Sequence, residues 1–180
     1  MKTTFIVLSA LLLMLSTMGS SCINDPFLIA INVDPLTGCY GINSGNGVIN
    51  DSTIVDLADL IDGSYVEKVK DARLYDIRVH VTGAYPGGSV AGQAFINNRL
   101  LFNFSGTWAD FSTPQSLLGR SPHITPQGTG IAELVRVLKA RPLGLVTLRA
   151  TGQATPSPFP SGTQFCVEVY AQADAEIGSE

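Results

Sequence analysis

A mainly β, single-domain fold is what this sequence predicts: an antiparallel β-sandwich or jelly-roll-like arrangement with one packed amphipathic helix at about residues 130–140. Three observations carry that expectation. Between residues 72 and 83, Tyr75, Ile77, Val79 and Val81 alternate with Asp76, Arg78 and His80, the period-two pattern of a half-buried strand. Two further β-prone runs, Val90–Ile96 and Leu100–Trp108, flank Asn97-Asn98, a pair that tolerates the positive φ of a tight hairpin turn. Helical spacing is clear at one place, where Ile131, Leu134, Val135 and Leu138 form a stripe with Glu133, Arg136 and Lys139 on other faces.

Taken in order, Phe27–Val33 reads as a strand with Ile29, Ile31 and Val33 on one face, ended by Asp34-Pro35. Residues 38–50 are rich in Gly and Asn and read as a loop. Gly41, Gly45 and Gly47 lack the Lys-Ser/Thr ending that a phosphate-cradling loop needs. Residues 51–62 fit either a helix, from the spacing of Ile54, Leu57 and Ile61, or a short strand around Val55-Asp56-Leu57. Asp56, Asp59 and Asp62 recur there every third residue, without the Asp/Asn alternation, central Gly and distal Glu of a calcium loop. A solvated acidic face is the simpler reading.

The strand at 72–83, the turn at Pro86-Gly87-Gly88 and the following hairpin are expected to form a three-strand meander. Leu100, Phe102, Phe104 and Trp108 should face one way, and Leu101, Asn103, Ser105 and Thr107 mostly the other. One wet and one packed face suits an antiparallel sheet. Residues 109–129 hold three prolines and read as a long loop, with Leu117-Leu118 able to tuck over the sheet. In the helix, Glu133 in a first turn and Lys139 and Arg141 at the end would match the helix dipole, and Pro142 and Gly144 stop it. Leu145–Thr151 and Phe165–Ala175 are the last strands, joined by a proline-rich tip at 155–162. Cys166 falls opposite Phe165 and Val167, on a face that an N-terminal segment carrying Cys39 would cover.

The chain opens with Lys2, an apolar run from Phe5 to Met18, then Gly19, Ser20, Ser21 and Cys22. A positive end, a short apolar core and small residues before a cut mark a secretory signal. The run is shorter than the ~20 apolar residues that cross a bilayer. Its end resembles the lipobox of bacterial lipoproteins, with Ser21 before the acceptor Cys22, and departs from it at Gly19, where leucine is usual. The resemblance implies lipid attachment at Cys22 and a membrane-anchored envelope protein; an ordinary signal peptidase cutting the same bond would give plain secretion. Residues 1–21 are thus read as leader, 22–26 as a tether and 27–180 as one domain. With Cys22 lipidated, Cys39 and Cys166 remain as an even pair in an oxidising compartment, either bonded or as two buried thiols.

Lys and Arg total 11 and Asp and Glu total 15, and charged residues are 14% of the chain against ~25% in typical soluble proteins. So weak and acidic a balance speaks against nucleic acid, which needs clustered Lys and Arg. It suits a membrane-proximal, glycan-facing or subunit-packed surface.

Catalytic patterns are sparse. His80 sits on the polar side of a strand. His123 shares the long loop with Asp110 and Arg120, yet no Gly-x-Ser-x-Gly elbow marks a nucleophile and no His-Glu-x-x-His or zinc spacing occurs. No catalytic residue, metal or cofactor is assigned, and enzymatic activity is left open with the balance against it. The candidate binding loop is Trp108, Asp110, Phe111, Arg120 and His123, with Tyr85 and Phe159 on other loops; Trp108 equally suits the core. Asn50 and Asn103 lie in Asn-x-Ser sequons, which bear on glycosylation only in a eukaryotic source. The expected function is a non-catalytic exported envelope lipoprotein presenting a binding or assembly surface. Its partners would be the membrane, through the lipid, and another envelope protein or glycan. A carrier of a small apolar ligand and a structural subunit of a surface filament or complex are the alternatives.

Overall fold

The computed structural model describes residues 27–61, 66–83, 87–140, 142–155, 158, 160 and 162–177. The leader, Cys22, the tether, Asp62, Tyr85, Pro86, Arg141 and Phe159 lie outside the described residues. The strands are β1 (Phe27–Asn32), β2 (Leu36–Gly41), β3 (Val48–Asp56), β4 (Val69–Thr82), β5 (Ser89–Ile96), β6 (Arg99–Thr107), β7 (Gln115–Ser116), β8 (Ile124–Pro126), β9 (Leu145–Thr155) and β10 (Gln164–Ile177). Helix α1 is Trp108–Phe111 and α2 is Gly128–Lys139.

Two antiparallel sheets result. In the first, β1 and β2 lie end to end along one edge of β10, followed by β4 and β7; the second runs β3-β9-β5-β6-β8. With β1 and β2 taken as one interrupted strand, the chain passes between sheets in the order of a jelly roll. The interruption has a simple cause: Pro35 has no N–H to give to the ladder. The expected β-sandwich with one substantial helix is present.

Four local expectations need correction. The three-strand meander does not form: β4 pairs with β10 and β7, and only β5 and β6 make the hairpin. Alternation shows that a strand has an inner face; it does not say which strand lies beside it. Gly83 (φ 97°), Gly87 (φ 152°) and Gly88 (φ 110°) border the link that carries the chain across to the other sheet.

The glycine-rich stretch at 38–50 is mostly strand, with Leu36, Gly38 and Tyr40 buried in alternation. Glycine there makes room rather than a loop, since a Cβ on Gly38 would stand 2.3 Å from the Tyr40 hydroxyl. The turn itself is confined to about residues 43–47, closed by Gly47 N–H donating to Asn43 O at 2.7 Å. Of the two readings of 51–62, the strand holds through Asp56, and a 3-10 turn follows at Ala58–Leu60.

Tyr75 does not face the core with Ile77, Val79 and Val81. The β10–β4 register steps from Tyr170↔Asp76 to Ala171↔Leu74, so Tyr75 is the extra residue of a β-bulge. The bulge reverses the alternation: Leu74 packs against the core and Tyr75 stands 69% exposed. Helix α2 begins at Gly128, so Glu133 lies in its second turn, and Val137 rather than Val135 completes the buried stripe with Leu134 and Leu138. Gly130 lets the helix seat on β6, because a Cβ would come within 2.2 Å of Leu100 O.

The space between the sheets is filled by aromatic side chains. Phe104 stacks on Phe165 with centroids 4.1 Å apart, and Phe102 and Phe111 meet Phe104 edge-on at 6.3 Å. The 109–129 segment supplies part of this core: Phe111 and Leu117 are buried, Leu118 is exposed, and β7 and β8 extend one sheet each. Asp110 is not free at the end of α1; Thr107 and Asp110 form a reciprocal capping box there.

Candidate functional site

The second sheet turns an unusually uncharged face to solvent. Register places Asn50 beside Thr151, Thr151 beside Gln93, Gln93 beside Asn103 and Asn103 beside Thr125. These outward side chains form one transverse row over five strands, spanning about 19 Å at the usual strand spacing. The row above is Val48, Gln153, Ala91 and Ser105, and the row below is Ser52, Arg149 and Phe95. These three rows hold a single formal charge, Arg149. Its guanidinium donates to Asn50 Oδ1 at 3.2 Å and lies 5.9 Å from the Phe95 ring centroid, while the Gln93 amide donates to Asn103 Oδ1 at 3.0 Å. Two inward glycines keep this face flat. Gly92 and Gly152 pair across β5 and β9 above the Phe104 ring, and a Cβ on Gly92 would lie 2.7 Å from Phe104 Cζ.

The first sheet differs on its outer side. Asp76 is buried and accepts from Ile77 N–H at 2.8 Å, Ser116 Oγ at 2.8 Å and Arg78 Nε at 3.1 Å. Arg78 in turn lies 4.5 Å from the Tyr170 ring centroid. The Tyr170 hydroxyl donates to Glu168 Oε2 at 2.7 Å, and this bond to a carboxylate, with partial burial, raises the pKa of the phenol. Where the break between β1 and β2 meets the Tyr75 bulge, a cleft of about 460 Å³ opens between Val33, Pro35, Tyr75, Tyr170, Ala171 and Gln172.

Cys39 and Cys166 are bonded, directly opposite one another in the β2–β10 ladder with Cα atoms 4.1 Å apart. Cys39 thus comes from the neighbouring strand of the same sheet, rather than from a segment lying over that sheet. His80 flanks Cys166 on the other side. Its Nδ1 and the Tyr40 hydroxyl are buried without a hydrogen-bond partner among the described residues. Burial, helped by the negative charge of Asp51, raises the Tyr40 pKa well above its ordinary value, so this phenol is neutral.

The candidate loop is only partly brought together. Trp108, 4% exposed, and Phe111 belong to the core, so of the two readings of Trp108 the structure has the core one. His123 Nε2 stands 3.6 Å from Asp110 Oδ1, and its ring meets Phe111 edge-on at 5.8 Å. Hydrogen bonds from the Thr107 side chain and backbone hold the Asp110 pKa below the usual carboxylate range. That carboxylate is therefore a cap more than a base. Arg120 is exposed in a left-handed turn (φ 58°). Sequence reasoning missed the polar rows and the cleft. The period-two placing of Asn103, Ser105 and Thr107 was visible, but rows across a sheet exist only once register is fixed.

Comparison with known proteins adds little to this geometry. No family model matches the sequence, and no curated protein does. Among solved structures, a chain of Desmodium yellow mottle tymovirus is similar at 12% identity, over 87% of this chain and 86% of that one, with a TM-score of 0.38. A chain of turnip yellow mosaic virus is similar at 11% identity, over 87% and 98%, with a TM-score of 0.40. At such values nothing about function or partners passes from those viruses to this chain.

Proposed function

We propose that the protein is a non-catalytic, exported envelope protein, lipid-anchored through Cys22, whose five-stranded sheet presents its outer face to an uncharged glycan. The observation that supports this best is the row Asn50–Thr151–Gln93–Asn103–Thr125. Amides and hydroxyls both donate and accept, which matches the hydroxyl groups of a neutral polysaccharide. The only charge that the three rows of this face offer a polyanion is the Arg149 guanidinium, already bonded to Asn50, whereas polyanion binding needs clustered cations. The Cys39–Cys166 bond supports export, since structural disulfides persist in oxidising compartments.

The two alternatives have less support. Phenylalanine rings occupy the space an apolar carrier would keep for its ligand. Strand addition to the β3 edge is opposed by that edge's own side chains: Asn46 Oδ1 accepts from Val48 N–H and Asp51 Oδ1 from Ser52 N–H.

Retention of the mature domain on cellulose, starch and dextran resins, against alginate and heparin resins, tests the glycan reading. Retention on a neutral resin should fall at least tenfold in Gln93→Lys, which sets a charge in the centre of the row. Equal retention of Gln93→Lys and wild type, or retention only on the anionic resins, would defeat it. Labelling with a radioactive fatty acid tests the anchor separately; equal label in wild type and Cys22→Ala would end that part of the proposal.

A further inference from the structure

We propose that the cleft beside Tyr75 and Tyr170, on the opposite sheet from the polar rows, is a binding site for a single neutral pyranose ring. It rests on the reading of the protein as a glycan binder but uses none of the same residues.

The cleft is a built feature of the fold. Three irregularities coincide around one short stretch of β10, residues 170–172. Pro35 interrupts the strand on one side, the bulge at Tyr75 interrupts the register on the other, and Val33 bridges back with a 3.4 Å bond to Ala171 O. A bulge re-aims a side chain, and here it turns a large aromatic residue from the core side to solvent. The resulting space, about 460 Å³, falls within the ~300–1,000 Å³ of small-ligand sites.

The lining chemistry selects the ligand class. Tyrosine ring faces carry negative quadrupole density, and the C–H bonds on one face of a pyranose present weakly positive hydrogens to it. Tyr170 is a fixed wall of the cleft, its hydroxyl tied to Glu168 and one face of its ring covered by the Arg78 guanidinium, so the exposed Tyr75 ring is the one free to stack. Gln172 adds an amide that both donates to and accepts from sugar hydroxyls. Charged groups of β4 and β10 around the cleft are already engaged: Arg78 with Asp76 at 3.1 Å, Arg73 with Asp174 at 2.7 Å and Glu168 with Tyr170 at 2.7 Å, while Asp34, between Val33 and Pro35, is exposed and would repel an anion. An ionic ligand would have to compete for those groups; a neutral one need not.

Saturation-transfer NMR on the mature domain, with methyl β-glucopyranoside, methyl α-mannopyranoside and methyl β-galactopyranoside as probes, tests the site. At least one probe should receive saturation, concentrated on the C–H hydrogens of one ring face. Its affinity should fall about tenfold in Tyr75→Ala, persist in Tyr75→Phe and fall in Gln172→Ala. It should be unchanged in Gln93→Lys, which disables the opposite face. Tyr75 is largely exposed, so its truncation leaves the core intact, and Gln172→Ala gives an independent reading on the same cleft. Transfer to none of the probes, or transfer that survives both Tyr75→Ala and Gln172→Ala, overturns the proposal. Loss of polysaccharide retention in Gln93→Lys with no glycoside binding in the cleft would leave the proposed function standing and remove this site.

Discussion

The two sheets of the sandwich share one core and present opposite kinds of surface. The sheet built on β10 and β4 carries ion pairs, two buried carboxylates (Asp76 and Asp174), two register shifts and the disulfide. The sheet built on β9 and β5 carries amides and hydroxyls in regular rows, with glycines beneath them. In the first sheet the Tyr75 bulge meets the break at Pro35 and a concavity results. In the second the register shift lies beside the β5–β6 hairpin, where it turns Leu101 into the core rather than onto the wet face its alternation suggested, and the rows above it stay flat. Surface shape here follows from ladder geometry before it follows from side-chain identity.

The largest effect should come from breaking the covalent tie in the irregular sheet. The Cys39–Cys166 bond links residues 127 apart, a constraint worth about 5 kcal/mol in the chain-entropy treatment of the unfolded state. The double variant Cys39→Ser/Cys166→Ser should unfold at markedly lower urea concentration, and reducing agent should move the wild type toward the same midpoint. A wild type indifferent to reductant would show that the ladder alone holds β2 in place.

In the regular sheet the sensitive point is the absence of side chains. Gly92→Ala would put a Cβ 2.2 Å from Thr151 O and 2.7 Å from both Gly152 Cα and Phe104 Cζ. Overpacking of this kind costs about 2–3 kcal/mol, readable as a lower midpoint in urea. Stability equal to wild type would mean that the flat face tolerates a step between β5 and β9.

The smallest expected effect lies at the helix that leans on both sheets. Hydrogen bonds from Arg136 and then Asn97 lower the Glu133 pKa from 4.5 to about 2, and Asn97 belongs to the β5–β6 turn. A carboxyl whose folded pKa lies below its unfolded one contributes stability that is complete above about pH 4.5 and fades as pH falls through about 2. Acid titration of Glu133→Gln should lack that component, by less than about 1 kcal/mol because Arg136 is solvent-exposed. An identical acid profile for both proteins would leave Asn97 held by the turn alone.

Much of this fold was legible in the residues. The period-two runs marked β4, β5, β6 and β10, Asn97-Asn98 marked the hairpin with φ of 44° and 63°, and the stripe at Leu134 and Leu138 marked α2. Glycine misled where it served packing, as at Gly38 beneath Tyr40. The meander failed because adjacency between strands is not a local property. The candidate loop failed as a surface because Trp108 and Phe111 answer the same hydrophobic demand whether a core or a partner meets it.

By itself, then, the sequence determined the class of fold, the hairpin and the helix, all of which arise from spacing along the chain. Only the tertiary structure decided that Cys39 faces Cys166, that Tyr75 turns outward and that five polar side chains align across five strands. Each of those depends on register between segments distant in sequence, and register is fixed by the joint packing of both sheets on one core.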